Sequence, residues 1–260
     1  MDLGSAIFHN VTDWVQRVFI SGKVRKEGLL RRWCHGTVGY PGVRGDGGGL
    51  VALSDGCAAG LGPIQRLSGS GTMLKLYGGT RSRAAIVAWY LEELAVPYEF
   101  VRLDMAAGAH RQPDYLAINP MGKVPALVDG ETVVWESGAI LLYLADKYGQ
   151  LPADVRQRAP IYQWVLFSNS TLVQALAQAE KRDQELGKLL PPLEQILRDQ
   201  AYITGPVLTV ADVALASILG FAVQMFGVDL QPYPAIAAYV QRCRERPAFQ
   251  KAMGGVASPT

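Results

Sequence analysis

The most informative part of the chain is residues 119–137, which read NPMGKVPALVDGETVVWES. Apolar runs flank the dipeptide Asp129-Gly130 on both sides. This arrangement predicts a tight β-hairpin turn. Such turns require positive φ angles, and Asp-Gly is a favoured pair there because both residues tolerate them. The segment therefore predicts a hairpin of two strands, 124–128 and 132–135, followed by a helix over 137–148.

A strand–helix–strand unit is predicted before this hairpin. Residues 73–77 alternate apolar and polar side chains and end at Gly78-Gly79, which is typical of a short strand and turn. Residues 82–94 carry apolar side chains at helical spacing, and residues 98–103 predict a second strand. Two strands joined by a helix form a βαβ unit. Residues 73–149 are therefore predicted to form a small βαβ–ββα domain.

The chain after Gly149 shows helical periodicity alone. Pro191-Pro192 should break or kink the second of these helices. The run TVAD, residues 209–212, is a capping box that opens an almost wholly apolar helix, and such a helix must lie inside a bundle. An all-helical domain is predicted over 155–253, with helices at 155–179, 183–198, 210–226 and 235–246.

The first 72 residues differ from the rest in composition. Eleven glycines lie between Gly39 and Gly71, and no helical or strand period survives there. We expect residues 1–72 to be a glycine-rich extension that is disordered, or upstream sequence translated from a misassigned start. In the second case Met73 would be the natural first residue.

Composition excludes several classes of protein. A hydrophobic content of 49% rules out disorder of the whole chain, and a net charge of +2 makes no case for nucleic acid. The longest weakly polar stretch, residues 214–228, is shorter than the ~20 residues that a bilayer requires. Cys34, Cys57 and Cys243 form no CxxC motif, which fits a reducing, cytoplasmic compartment and argues against a cysteine-ligated metal.

Four segments between Met73 and Ala252 resemble the cytosolic glutathione transferase family in their order and spacing. They are LY (76–77) leading into Arg83, NPMGKVPAL (119–127), WES (135–137) with the apolar helix after it, and TVAD (209–212). The chain resembles the short, bacterial or theta-like members of that family. The resemblance implies an α/β thioredoxin-like N-terminal domain, an α-helical bundle as C-terminal domain, and a homodimer.

The resemblance places glutathione around Val124-Pro125 and Glu136-Ser137. It implies a cis bond before Pro125 and a Val124 that offers its N–H and C=O to the cysteinyl part of the tripeptide, like an added strand. It also implies that Glu136 faces the γ-glutamyl ammonium, and that the helix N-terminus at Ser137 receives the γ-glutamyl carboxylate. The residues alone leave open an ordinary trans proline and a serine that only caps a helix.

Two basic residues extend this predicted glutathione site. Lys123 directly precedes Val124 and is expected to pair with a glutathione carboxylate. His110 stands where some family members place a histidine that contacts the glycyl carboxylate. For His110 and Arg111 a solvated loop is an equal alternative.

The turn GGTRSR, residues 78–83, is expected to supply the group that activates the glutathione thiol. A free thiol has a pKa near ~8.5, so the protein must stabilise the thiolate. Gly79 stands where theta-like members often have serine. Thr80 and then Ser82 are therefore the predicted hydroxyl donors, although Ser82 could equally cap the helix. Arg81 could stabilise the thiolate electrostatically.

The predicted activity is conjugation of the glutathione thiolate to small electrophilic compounds, with reduction of organic hydroperoxides by a second glutathione as a further activity. Tyr162, Trp164 and Phe167 are expected to line the electrophile pocket, with core packing as the alternative. Glutathione is the expected cosubstrate, without metal or nucleotide. No cysteine occurs in the turn 78–83, which argues against mixed-disulfide chemistry.

Two other functions compete with this prediction. One is a non-catalytic module on the same scaffold that binds glutathione, another ligand or a protein, favoured by the missing serine at Gly79. The other is a dehydrogenase-like nucleotide binder, which fails because Gly78-Gly79 is not part of a GxGxxG motif. We expect neither nucleic acid nor a membrane span among the partners of the chain.

Overall fold

The structure is a computed structural model that describes residues 73–79 and 82–257. The described residues belong to one compact unit, Leu61–Thr260. The predicted N-terminal extension, residues 1–72, lies outside the described residues, as do Thr80 and Arg81. The boundaries 73–149 and 155–253 stay a prediction.

A four-stranded mixed sheet forms the first half of the described chain. Its strand order is β2-β1-β3-β4, with β1 parallel to β2 and antiparallel to β3. Leu76 in β1 lies opposite Phe100 and Leu127 and is completely buried, which places the core at the centre of the sheet. The strands are β1 (Leu74–Gly78), β2 (Tyr98–Arg102), β3 (Ala126–Asp129) and β4 (Thr132–Trp135).

Two helices complete this α/β half as the sequence predicts. Helix α1 (Ala84–Glu93) connects β1 to β2, and a helix over Ser137–Lys147 follows the hairpin. Between them lie a 3-10 turn (Ala109–Arg111) and the four-residue helix α2 (Pro113–Leu116). These short elements were not predicted, because three or four residues are too few to show a helical period. The helix after the hairpin is therefore α3.

A polar cluster ties the hairpin to the C-terminal end of α3. One carboxylate oxygen of Asp129 accepts hydrogen bonds from the Tyr143 hydroxyl and the Lys147 ammonium. Burial alone would raise the pKa of Asp129, but the two hydrogen bonds and the Lys147 charge outweigh it and lower the pKa. Burial and the neighbouring carboxylate raise the pKa of Tyr143 to about 12, so its hydroxyl remains a donor.

The rest of the described chain is helical. Pro191 and Pro192 lie inside an uninterrupted helix, so the predicted break there is wrong. Buried leucines along that helix hold it against its neighbours, and such packing outweighs local propensity. The helices are α4 (Val155–Leu166), α5 (Val173–Ala177), α6 (Arg182–Arg198), α7 (Val210–Phe226), α8 (Pro234–Arg244) and α9 (Pro247–Ala257), with a π-helical segment at Phe167–Leu172 between α4 and α5.

Helix α7 is the buried centre of the helical half, and the predicted capping box opens it. The Asp212 carboxylate accepts hydrogen bonds from the N–H groups of Thr209 and Ile203, both at 2.7 Å, and from the Tyr239 hydroxyl at 3.1 Å. Burial raises the pKa of Asp212 despite these bonds. The box therefore fixes the start of α7 and links it to α8.

Helix α9 was not predicted, and it packs against α1. The rings of Trp89 and Phe249 meet edge to face at 5.0 Å. The Arg246 guanidinium donates to both oxygens of the Glu93 carboxylate at 2.6 and 2.7 Å, and the Trp89 indole N–H donates to the same carboxylate at 2.8 Å. The last helix, together with Arg246 directly before it, is thus joined to the first helix by apolar and ionic contacts.

Candidate functional site

The peptide bond between Val124 and Pro125 is cis, as the resemblance implies. Strand β3 begins only at Ala126, so Val124 lies outside the sheet ladder. Among residues 73–79 and 82–257, neither the N–H nor the C=O of Val124 has a hydrogen-bond partner. Main-chain donors and acceptors in a folded protein are nearly always paired with something. Val124 therefore offers one free donor and one free acceptor at the end of the sheet.

Two hydrogen bonds to its carbonyl group hold Lys123, the residue before Val124, in place. The Lys123 carbonyl accepts a hydrogen bond from the Tyr115 hydroxyl at 2.6 Å and another from the Asn119 amide nitrogen at 2.8 Å. The Asn119 amide oxygen accepts from the N–H of Met121 at 3.0 Å. Tyr115 and Asn119 are both almost fully buried. Sequence reasoning quoted Asn119 within the motif but assigned it no role, and it did not single out Tyr115.

The backbone at Glu136 has an unusual conformation. Its φ is 72° and its ψ is 121°, values that a residue with a side chain rarely adopts. Glu136 is the N-cap residue of α3, and no side chain within the described chain caps this helix end. The N–H groups of the first turn, beginning at Ser137, therefore remain available for an anion. The Glu136 side chain is exposed beside them.

Ser137 is buried as the first residue of α3, and its hydroxyl does not cap the helix. The hydroxyl lies 2.8 Å from the amide oxygen of Asn169, in the π-helical segment of the helical half. The Asn169 amide nitrogen donates to the Val165 carbonyl at 3.0 Å, which leaves the amide oxygen facing Ser137. A Cβ at Gly138 would lie 3.2 Å from Asn169, so the absence of a side chain allows this close approach.

Sequence reasoning missed Asn169. The contact joins residues 32 positions apart, and no local pattern encodes it. The polar run Ser168-Asn169-Ser170 inside the predicted periodic helix 155–179 was the available signal. Irregular π-helical turns are frequent at functional sites, which adds weight to this position.

Ser82 closes the turn between β1 and α1. Its hydroxyl oxygen accepts hydrogen bonds from the N–H of Gly79 at 3.2 Å and from the N–H of Ala84 at 3.3 Å. A hydroxyl has two lone pairs and one proton, so these two bonds leave its O–H free to donate. Thr80 and Arg81 lie outside the described residues, and their predicted roles stay predictions.

The basic residues lie at separate places around this region. His110 is in the 3-10 turn, and its buried Nδ1 atom has no hydrogen-bond partner within the described residues. The Arg111 and Lys123 side chains are exposed. A Cβ at Gly122 would come within 3.1 Å of the His110 carbonyl oxygen, so the His110 turn packs directly against the loop that carries Lys123.

The predicted pocket aromatics lie on α4 and the segment after it. Trp164 and Phe167 meet edge to face at 5.3 Å and pack against the hydrophobic core. Tyr162 is half-buried. The packing of Trp164 and Phe167 is consistent with the alternative that these aromatics are core residues. The assignment of the three side chains to an electrophile pocket stays a prediction.

Metal-binding clusters and membrane-spanning helices are both absent from the described residues. Among the described residues, no group of three or more His, Cys, Asp or Glu side chains is placed to hold a metal ion. No helix in residues 73–79 and 82–257 is long and apolar enough to cross a membrane. Cys243 is buried, and this burial raises the pKa of its thiol to about 12.

Comparison with known protein families agrees with this geometry. The family described as glutathione S-transferase, N-terminal domain, matches residues 72–146. The family described as glutathione S-transferase, C-terminal domain, matches residues 159–247. The chain belongs to the glutathione S-transferase family. Its thioredoxin-like half and its helical half are those of that fold.

Individual relatives of this glutathione S-transferase family member carry different names. Glutathione S-transferase 3 of Zea mays is 34% identical over 72% of this chain and 96% of its own. Disulfide-bond oxidoreductase YfcG of Escherichia coli is 30% identical over 70% of this chain and 94% of its own. The glutathione transferase URE2P6 from Phanerochaete chrysosporium, solved in complex with oxidized glutathione, is 30% identical, covers 71% of this chain and 96% of its own, and superposes with a TM-score of 0.64.

Proposed function

We propose that this protein binds glutathione and transfers its thiolate to small electrophilic compounds. The observation that carries the proposal is the unpaired main chain of Val124 before a cis proline, together with the uncapped helix end at Ser137. An extended tripeptide can use the first as an added strand and place its terminal carboxylate at the second.

The charged groups suit the two ends of the tripeptide. Glu136 is exposed beside the helix end, where it can pair with the γ-glutamyl ammonium while the N–H groups of α3 hold the neighbouring carboxylate. At the other end, His110 has an unpaired buried nitrogen, and Lys123 has an exposed ammonium. We assign these two residues to the glycyl carboxylate.

The hydroxyl of Ser82 is the thiolate donor that the described residues support. Both its lone pairs already accept N–H bonds, so its proton is directed elsewhere. A hydrogen bond to a charged partner is worth about 1.5–3 kcal/mol, which lowers a thiol pKa by roughly one to two units. Thr80 remains the second candidate donor, with Arg81 as a nearby positive charge.

The binding step is tested by calorimetric titration of the full chain with glutathione. Glu136→Gln should weaken binding by about tenfold, because the ammonium loses its charged partner. Glu131→Gln is the matched control, since Glu131 is an exposed carboxylate in the neighbouring hairpin turn. Absence of saturable glutathione binding by the wild-type chain would overturn the proposed function.

The chemical step is tested by conjugation to 1-chloro-2,4-dinitrobenzene as a function of pH. Ser82→Ala should move the alkaline rise of the rate upward by about one pH unit, because the thiolate loses a donor. Thr80→Val provides the parallel measurement. If neither substitution, nor both together, changes the pH profile, these hydroxyls do not activate the thiol.

The second candidate function is a non-catalytic module that binds glutathione on the same scaffold. It is favoured by Gly79, which stands where theta-like members often have a serine, and by the packing of the partly buried Trp164 and Phe167 side chains against the core. Retention of the chain on immobilised glutathione, without turnover of a panel of electrophiles, would select this function. For either function we propose a cytoplasmic homodimer.

A further inference from the structure

The two hydrogen bonds to the Lys123 carbonyl determine the direction of the Val124 backbone N–H. A carbonyl oxygen has two lone pairs, and here Tyr115 and Asn119 occupy both. Within the described chain only the Val124–Pro125 bond is cis, so the bond between Lys123 and Val124 is trans. In a planar trans peptide the C=O and the following N–H point in opposite directions. Fixing the Lys123 carbonyl therefore also fixes the direction of the Val124 N–H.

The donors that hold this carbonyl are themselves rigid. The Asn119 amide cannot rotate freely, because its oxygen accepts from the Met121 N–H at 3.0 Å while its nitrogen donates to Lys123. The Tyr115 side chain is 3% exposed, and its ring lies 5.9 Å from that of Tyr77 in β1. Burial raises the pKa of Tyr115 to about 12, so its hydroxyl keeps its proton at neutral pH.

The backbone between Asn119 and Lys123 allows the same arrangement. Gly122 has a φ of 59°, a left-handed conformation that glycine adopts without strain. A side chain at this position would also press on the His110 carbonyl at 3.1 Å. The N–H of Gly122 bonds to the Asn119 carbonyl at 2.9 Å. The chain therefore turns tightly enough for Asn119 to reach the Lys123 carbonyl.

We propose that Tyr115 and Asn119 are positioning residues of the glutathione site, which hold the Lys123 carbonyl and thereby aim the Val124 N–H at the cysteinyl carbonyl of the bound tripeptide. The proposal rests on the proposed function, because it names how that site is preorganised. Neither residue touches the ligand. Holding a donor in its bound direction removes an ordering cost from binding.

Tyr115→Phe tests the proposal, because it removes one hydroxyl and leaves the buried ring. We expect glutathione to bind about three- to tenfold more weakly to this variant in calorimetric titration, the loss typical of one hydrogen bond. Tyr98→Phe is the matched control. It removes a hydroxyl that bonds to Glu92 at 3.2 Å, on the strand at the opposite edge of the sheet, and should leave binding unchanged.

A modified ligand separates positioning from a general effect on the fold. Glutathione with a thioamide in place of the cysteinyl carbonyl is a poorer acceptor for the Val124 N–H. The ratio of dissociation constants between Tyr115→Phe and wild type should fall toward one with this analogue. An equal loss with both ligands would overturn the proposal.

The outcomes also distinguish the positioning role of Tyr115 and Asn119 from the proposed function on which it rests. Glutathione binding by the wild type with no weakening in Tyr115→Phe would overturn the positioning role alone. Absence of binding by the wild type would overturn both. If Tyr115→Phe does not fold, Asn119→Leu provides the same comparison, since it removes the other donor and preserves the size of the side chain.

Discussion

The contact between the last helix and the first one gives a sharp stability prediction. Arg246→Met removes a guanidinium that donates to both oxygens of Glu93 at 2.6 and 2.7 Å. The Glu93 side chain is only 11% exposed, and the Trp89 indole N–H remains as a donor to it at 2.8 Å. The variant therefore leaves a largely buried carboxylate without its positive partner.

The magnitude follows from how much water reaches the pair. Removal of one partner costs about 3–5 kcal/mol for a fully buried ion pair, and an exposed pair contributes only about 0.2–1 kcal/mol. Arg246 is 32% exposed and Glu93 is mostly buried, which places this pair between those limits. We expect Arg246→Met to lower the free energy of unfolding by about 2–3 kcal/mol, or roughly 5–10 °C in Tm.

Urea titration followed by tryptophan fluorescence and thermal melting followed by circular dichroism measure this loss. Arg244→Met is the matched control, because Arg244 is an exposed arginine two residues earlier on α8. The double variant Glu93→Gln with Arg246→Met should recover part of the stability, since no unpaired charge remains. A Tm for Arg246→Met within the range of the control would refute the argument.

Three further substitutions test polar contacts within the described fold. Asn169→Leu leaves the buried Ser137 hydroxyl without its acceptor and should lower the unfolding free energy by about 1–3 kcal/mol in urea titration, where an unchanged midpoint would contradict it. Because Lys147 helps to lower the folded-state pKa of Asp129, the stability that Asp129 contributes disappears as pH falls through that pKa. Asp129→Asn should therefore be less stable near neutral pH and lose less stability in acid, and parallel curves would contradict it. Glu194→Gln weakens the acceptor of two N–H groups in the first turn of α8, and hydrogen exchange should accelerate there and not in α3.

Local patterns were sufficient to predict the hairpin and the start of α7. The hairpin and the capping box of Thr209 and Asp212 each depend on residues no more than a few positions apart. The predicted Asp129-Gly130 turn is wrong by one residue: Asp129 pairs with Thr132 at the end of β3, and the turn residues are Gly130 and Glu131. The pairing of β3 with β4 and the capped start of α7 match the predictions, because neighbouring residues carry the chemistry that forms them.

Contacts between distant residues explain what the sequence did not reveal. The acceptor for Ser137 lies 32 positions away, and the partner of Glu93 lies 153 positions away. The predicted break at Pro191-Pro192 is wrong for a related reason, because buried neighbours stabilise a helix that local propensity would interrupt. The direction of the Val124 N–H could not be predicted either. It depends on the hydrogen bond from Tyr115 to the Lys123 carbonyl, and Tyr115 lies in a helix too short to have a sequence signature.

The position of α9 against α1 has a consequence for how this protein is made. Helix α1 contacts β1, α3, α7 and α9, so it is enclosed only when the C-terminal helix is in place. During synthesis the ribosome releases Trp89 long before Phe249, and until then one side of α1 lacks its cover. A chain that ends before Arg246 would leave that side of α1 open to solvent, so the core of the thioredoxin-like half is complete only after the last helix has been synthesised.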